Sequence, residues 1–389
     1  MQQVPRVALF ADTFHEVNGA ARTCREWDAF ARRHELPFFC VRWGSAQQLV
    51  EEGPVRTLEL VRSHWAIPVD PDLRFDPWFY RELTQIETVL QRFRPDVIHV
   101  TSPGDLGILG AIVAARLKAR LALSWHTNLH EFASRRVAQM LSWFPTGARA
   151  RLARFVERFV MDRVCWFFGR GAVIFAPNPE LEGELRARTG KPVFHMGRGI
   201  DTALFHPSRR TRTNCDLVIG YVGRLMPEKN LRLLPRVEAA LRAAGIPEVR
   251  FQITGDGSER EWLEHNLPRA TLTGVLKGEP LAEAYANMDI FAFPSRTDTF
   301  GNVVQEALAC GVPAVVTDAG GPRFIVQEGV TGFIAADDDR FCSRIVELAR
   351  NERLRRDMGA AGRRQVESQS WDRVFEEVYQ GYARGLAYA

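Results

Sequence analysis

The sequence has no long hydrophobic run. Its longest nearly uninterrupted apolar stretch, residues 106–115, falls far short of the ~20 residues needed to cross a bilayer. The first ten residues lack the basic head and extended apolar core of a secretory signal, so a cytoplasmic location is expected, with association at the inner face of the cytoplasmic membrane left open. Cysteine is sparse and unpaired in pattern. Cys24, Cys40, Cys165, Cys215, Cys310 and Cys342 form no C-x-x-C, and they read as small buried apolar residues in a reducing compartment. No His/Cys cluster has metal-ligand spacing and no Ser/His/Asp order stands out, so no metal cofactor is expected. There is no charge bias either. Lys and Arg number 51 against 47 Asp and Glu, a net +4, too mild to mark a nucleic-acid binder. Tandem repeats and low-complexity segments are also missing.

What is present is an ordinary globular composition, 46% hydrophobic and 25% charged, over 389 residues, enough for two or three domains. Short apolar runs alternate with longer amphipathic stretches. Strands are expected at 7–11, 97–101, 121–125, 173–176, 217–222, 250–254, 290–293 and 314–317, and helices at 77–93, 231–244 and 281–288. Such alternation predicts an α/β protein with doubly wound parallel sheets. The strand, glycine loop and helix of 7–19 start again at 217–231, and the polar stretch 196–216 lies between. The expected organisation is a domain at 1–200, a linker at 201–216 and a second domain at 217–370. The two are expected to face a cleft, with the helix 371–389 packing back on the first domain. Ligands of open α/β sheets sit beyond the carboxyl ends of strands, so chemistry is sought just after each strand.

Five such segments stand out. In 293–313, Pro294 and Ser295 break a strand, and Phe300, Gly301 and Asn302 open a helix whose N-terminal amides suit a diphosphate or sugar oxygens. Asp298 stands at that helix mouth and Glu306 eight positions on. Either the two carboxylates grip a sugar and a ribose, or Asp298 is an N-cap and Glu306 a solvated helix residue. In 219–230, Arg224 and Lys229 follow a strand, where two cations suit a diphosphate leaving group. In 10–21, Asn18 and Gly19 permit a tight turn at a helix start. His126, in Ser124-Trp125-His126-Thr127, follows another strand, whereas His99 reads as a packing residue. Arg198 lies at the crossing between the domains, facing a ligand or forming a hinge salt bridge. More weakly, Gly255 follows a strand and lets backbone approach a ligand, and Asp337-Asp338-Asp339 reads as a solvated loop rather than a metal site.

The 293–313 segment resembles the E-x7-E region of the retaining family 4 glycosyltransferases, which have the GT-B fold, except that Asp298 stands where Glu is commoner. Residues 223–230 resemble the family's G-R-x-x-x-E-K-N/G, and 198–205 resemble a segment of a glycolipid-directed subgroup that includes sulfoquinovosyl- and mannosyl-glycolipid synthases. The resemblance implies a nucleotide-sugar donor as co-substrate, with no metal required. It implies that Asp298 binds the sugar, Glu306 the ribose, and Arg224 and Lys229 the departing diphosphate. It also implies that Gly19 approaches the phosphates, His126 contacts the sugar and backbone at Leu276 meets the base. The expected reaction is transfer of a mannose- or glucose-like hexosyl unit from GDP-mannose or a UDP-hexose to a lipid-linked or glycan acceptor. The alternatives are a GT-B epimerase or hydrolase, and a non-catalytic sugar-nucleotide-binding protein.

Residues 131–170 carry eight arginines against three acids, interleaved with Phe132, Trp143, Phe144, Phe155, Phe159, Trp166, Phe167 and Phe168. This segment is either a peripheral contact with anionic lipid or an ordinary amphipathic helix with solvated arginines.

Overall fold

The computed structural model describes residues 4–16, 18–70, 73–140, 146–213 and 216–387. The chain divides into two compact units, Met1–Gly197 with Trp371–Ala389, and Arg198–Ser370.

The first unit holds strands β1 (Val7–Ala11), β2 (Phe38–Trp43), β3 (Gln48–Glu52), β4 (Val55–Leu60), β5 (Ile67–Asp70), β6 (Leu73–Phe75), β7 (Val97–Val100), β8 (Arg120–Ser124), β9 (Val173–Ala176) and β10 (Val193–His195). Its helices are α1 (Gly19–Arg33), α2 (Leu83–Phe93), α3 (Asp105–Leu117), α4 (Leu129–Met140), α5 (Thr146–Phe168) and α6 (Pro179–Thr189). Among the described residues its main sheet has the order β10-β9-β8-β7-β1-β2-β4-β3. All pairings there are parallel except β3 with β4, and β5 and β6 form a separate antiparallel pair. The central strands are continuous buried runs because helices cover both faces. Val7, Leu9 and Ala11 face one core, and Ala8 and Phe10 the other.

The second unit holds β11 (Leu217–Val222), β12 (Val249–Thr254), β13 (Ala270–Gly274), β14 (Ile290–Phe293), β15 (Ala314–Thr317) and β16 (Gly332–Ala335). They form a parallel sheet in the order β13-β12-β11-β14-β15-β16. Its helices are α7 (Leu234–Ala243), α8 (Arg260–Asn266), α9 (Gly278–Ala286), α10 (Asn302–Ala309), α11 (Asp338–Arg350) and α12 (Glu352–Glu367). The described part of the polar stretch, 201–213 and 216, packs onto this unit. Arg210 and Arg212 reach Asp289 at 2.8 and 2.5 Å, and Arg209 reaches Glu279 at 3.0 Å.

The last helix, α13 (Trp371–Ala387), belongs to the first unit. Phe375 stacks on Trp27 with ring centroids 5.1 Å apart. Gly381 and Gly385 let α13 lie close against β9. A Cβ at Gly381 would come within 2.6 Å of Phe175, and one at Gly385 within 2.9 Å of Val173.

Candidate active site

In the second unit β11 pairs with β12 on one side and β14 on the other, so the strand order reverses between β11 and β14. The carboxyl ends of two strands at such a reversal leave a crevice open to ligand. Two loops start there. One leaves β11 through Gly223 and carries Arg224 and Lys229, and the other leaves β14 through Ser295 and carries Asp298.

The loops are joined by charge. Lys229, with its side chain about one-tenth exposed, donates from Nζ to both oxygens of Asp298 at 2.7 and 2.9 Å. The Ser295 hydroxyl donates to the same carboxylate. Burial pushes the Asp298 carboxyl up, but the charge and hydrogen bonds of Lys229, the Ser295 bond and the Arg224 charge outweigh it and hold it below the usual carboxylate value. Asp298 therefore stays ionised as the counter-charge of a fixed cation. Arg224 is half exposed, and its carbonyl accepts from the buried Tyr221 hydroxyl at 3.0 Å.

Glycine lets the neighbouring loop close in. Gly255, with φ +141°, lies so near the β11 loop that a Cβ there would stand 1.9 Å from the Gly223 carbonyl oxygen. At the mouth of α10, Gly301 has φ +101° and takes the N-cap place that Asp298 was one candidate to fill. Gly321 N–H donates to the Asp298 carbonyl at 2.6 Å, so the loop after β15 backs this mouth. Arg198 is buried, with its guanidinium 5.7 Å from the centre of the Phe300 ring, and its carbonyl accepts from Gln305 at 3.1 Å. Asn302 begins α10, whose first-turn amides have no carbonyl of their own helix to bond.

Glu306 is not solvated. It is buried in α10 and accepts from the Tyr285 hydroxyl at 2.8 Å. Leu276 lies half-buried just beyond β13, in the loop before α9. Asp337 caps α11 through Arg340 N–H at 2.7 Å, while Asp338 and Asp339 pair with Arg236 at 3.2 and 2.8 Å. This triplet is thus held by arginines and a helix cap. Among the described residues no group of three or more His, Cys, Asp or Glu is arranged to hold a metal ion.

In the first unit Gly19 is the exposed first residue of α1, whose start is set by Asn18 accepting from Ala21 N–H at 2.8 Å. His126 follows β8 and helps line a small, partly open recess with Thr101, Ser102, Pro103, Ser124, Trp125, Thr127, Leu129, Val164 and Phe168. Its Nε2 lies 2.6 Å from Ser124 Oγ.

Residues 17–204 match the family described as Glycosyltransferase Family 4, and residues 216–351 match Glycosyl transferases group 1. A GDP-mannose-dependent alpha-mannosyltransferase of Mycobacterium tuberculosis is 35% identical over 305 residues, 75% of this chain and 74% of that one. The chain belongs to glycosyltransferase family 4. This glycosyltransferase is also 31% identical to a sulfoquinovosyl transferase of Arabidopsis thaliana over 306 residues, 74% of this chain and 56% of that one. Sucrose-phosphate synthase from Thermosynechococcus elongatus shares its fold, with TM-score 0.73 and 19% identity over 98% of this chain and 99% of that one. The fold is GT-B, two Rossmann-like α/β domains.

Three side chains of this glycosyltransferase escaped sequence reasoning. Ser295 orients Asp298, and its place two residues after a strand was the available signal. Tyr285 holds Glu306 from a helix whose facing side no spacing reveals. Asp12, directly after β1, accepts from Leu106 N–H at 2.9 Å and so caps α3. Burial and the neighbouring Asp105 push the Asp12 carboxyl well above its usual value. Cys24, Cys40, Cys165, Cys310 and Cys342 are all buried free thiols, and Cys215 lies outside the described residues.

Proposed function

We propose that this glycosyltransferase moves a mannosyl unit from GDP-mannose, with retention, onto a lipid-linked or glycan acceptor. The observation that carries the reading is the Lys229–Asp298 pair at the strand-order reversal, with Arg224 in the same loop as Lys229. The GDP-mannose-dependent relative supports GDP and mannose over UDP and a glucose-like sugar. In this reading Arg224, Lys229 and the amides at Phe300–Asn302 take up charge on the departing diphosphate, which needs no metal ion. Asp298 is assigned to the sugar, with Arg198, His126 and Gly19 as further donor contacts, Glu306 at the ribose and Gly255 and Leu276 toward the nucleotide. The bond from the anomeric carbon to the diphosphate breaks as the acceptor oxygen bonds that carbon on the same face. The acceptor's proton passes to a diphosphate oxygen, so no side-chain nucleophile is required. A thermal-unfolding panel with GDP, UDP and their sugars tests the donor, since only a bound ligand raises the midpoint. Stabilisation by UDP and not GDP overturns the assignment, as does complete loss of transfer in EDTA for the metal-free step.

We also propose that α5 rests on an anionic membrane surface. Phe155, Phe159 and Trp166 are 65%, 54% and 58% exposed and follow Leu152 at helical spacing. Exposed Arg151, Arg154, Arg158, Arg163 and Arg170 flank them, while Phe167 and Phe168 are in the core. Trp143 and Phe144, part of the same sequence expectation, lie outside the described residues, as does the side chain of Phe132. Among the described residues no helix is long and apolar enough to cross a membrane. An apolar stripe between guanidinium groups suits the headgroup region. Binding to phosphatidylglycerol vesicles at low salt, lost in Phe155→Ser/Phe159→Ser/Trp166→Ser, is expected. Equal binding by both proteins refutes the contact.

A further inference from the structure

A chain of hydrogen bonds runs from the buried interior of the first unit to His126. The Tyr382 hydroxyl of α13 lies 2.7 Å from His99 Nδ1, and His99 Nε2 lies 2.8 Å from Ser124 Oγ. That oxygen is 2.6 Å from His126 Nε2. We propose that Tyr382, His99 and Ser124 act as a relay that holds His126 in one neutral tautomer, with its proton on Nδ1. The functional weight of the relay rests on the reading of His126 as a donor contact.

The direction of the chain follows from accounting for protons. Tyr382 is fully buried, and among the described residues its hydroxyl has His99 as its hydrogen-bond partner. A buried O–H without an acceptor is costly, so Tyr382 donates and His99 Nδ1 accepts. His99 is itself wholly buried among the rings of Trp27, Phe175 and Tyr382, at centroid distances of 4.7, 5.7 and 5.9 Å. Among the described residues no charge contributes there, and burial pushes its imidazole down to about 3, so the ring is neutral. A neutral imidazole has one donor and one acceptor nitrogen. With Nδ1 accepting, Nε2–H donates to Ser124 Oγ. The Ser124 hydroxyl, already accepting from His99, donates in turn to His126 Nε2. His126 is then left with its proton on Nδ1.

With its proton on Nδ1, His126 presents a donor of fixed position, which suits a sugar oxygen better than a ring free to exchange tautomers. Ser124, His99 and Tyr382 are positioning residues, since they act through His126. Their sequence separation hid the relay, because Tyr382 comes from the C-terminal helix and His99 from the middle of β7.

The test is ¹⁵N NMR of ring-labelled histidine in the full-length enzyme, with His126 assigned by the signal lost in His126→Ala. The expected spectrum shows His126 protonated on Nδ1. In Ser124→Ala and in Tyr382→Phe the balance moves toward Nε2–H. In both, kcat falls by about tenfold, the worth of one buried hydrogen bond, while the donor KM stays within about twofold. Ser124→Thr restores both tautomer and rate, which a loss of packing alone does not allow. Tyr382→Phe removes only a hydroxyl far along the relay, and its thermal midpoint checks that it folds. A wild-type spectrum dominated by Nε2–H overturns the relay, as does an unchanged tautomer in both variants. Full turnover by His126→Ala overturns instead the donor-contact reading, and the spectrum still decides the relay.

Discussion

Lys229 donates to both carboxylate oxygens of Asp298, at 2.7 and 2.9 Å, and so ties the loop leaving β11 to the loop leaving β14 across 69 residues of sequence. The pair sits where the strand order reverses, so an ammonium group is fixed in place before any ligand arrives. A charge that is already oriented and partly desolvated needs no rearrangement when a leaving group develops negative charge.

Lys229→Met is expected to lower kcat/KM by about a hundredfold or more, measured with GDP-mannose as donor. It is also expected to invert an acid response. Asp298 has a folded value below its unfolded one, so its ionised form stabilises the fold above the unfolded carboxylate value of about 3.9, and that contribution is lost as pH falls through the lower folded value. Without Lys229 the burial that opposes ionisation loses its main counterweight. The same carboxylate then costs stability as pH rises. Urea midpoints from pH 3 to 6 report the change, and parallel curves for the two proteins would count against it.

Asp298 separates charge from reach. Asp298→Asn keeps the side-chain shape but leaves Lys229 without a counter-charge, so turnover is expected to fall by about a hundredfold. Asp298→Glu keeps the charge and moves the carboxylate forward by one methylene, out of the fit set by Ser295 and Lys229. Its expected signature is a donor KM raised by about tenfold with a smaller loss of kcat, because positioning suffers more than electrostatics. Steady-state kinetics of both variants decide the matter. Identical losses in kcat and KM refute the distinction.

Why was much of this fold readable from sequence? β1, β9, β11, β14 and β15 are short, wholly or almost wholly buried apolar runs, the pattern of a strand covered on both faces, and their length of four to six residues favours strand over helix. β3 was missed because Gln48-Leu49-Val50-Glu51-Glu52 is mostly exposed at an edge. The helices expected at 77–93 and 231–244 begin later as α-helix, at Leu83 and Leu234, after single turns of 3₁₀. Arg224, Lys229 and Asp298 were each visible as polar residues just after strands. Their pairing was not, because sequence gives the strand ends but not the strand order. For Glu306 the sequence left a ribose contact and a solvated helix position both open, because its partner Tyr285 lies on another helix. In α5 the interleaving of aromatics with arginines was legible, while the division into buried Phe168 and exposed Phe155 depends on what the helix packs against.

Gly255 gives a test of backbone approach alone. Its φ is +141°, and an added Cβ would meet the Gly223 carbonyl at 1.9 Å, so Gly255→Ala must push the β11 loop away. Gly245 also has a positive φ, +77°, but nothing lies within 4 Å of its Cβ position. Gly245→Ala is therefore expected to cost about 1 kcal/mol of strain, and Gly255→Ala roughly 3 kcal/mol or more together with donor affinity. Chemical denaturation of the two variants gives the comparison. Equal destabilisation would mean that the two loops part without cost.

His99 supplies the last prediction, in which comparison with a variant cancels the carboxylates that both proteins share. Burial holds its imidazole down to about 3, whereas an unfolded histidine titrates near 6.5. The sign follows directly. Below about 6.5 the unfolded chain binds a proton that the folded chain refuses, so His99's share of stability is complete above that pH and is lost progressively as pH falls toward 3. The rings around it carry no charge that could reverse the effect. His99→Gln offers an amide in place of the imidazole and cannot take up that proton in either state. The variant is expected to be less stable at pH 7.5, because the relay and ring packing are disturbed, but to lose less stability than wild type between pH 6.5 and 5. One pKa unit of unmatched protonation is worth about 1.4 kcal/mol, so the difference between the two slopes is within reach of urea denaturation. Slopes that coincide over this interval would show that water reaches His99 in the folded protein, and the neutral ring on which the relay depends would be lost.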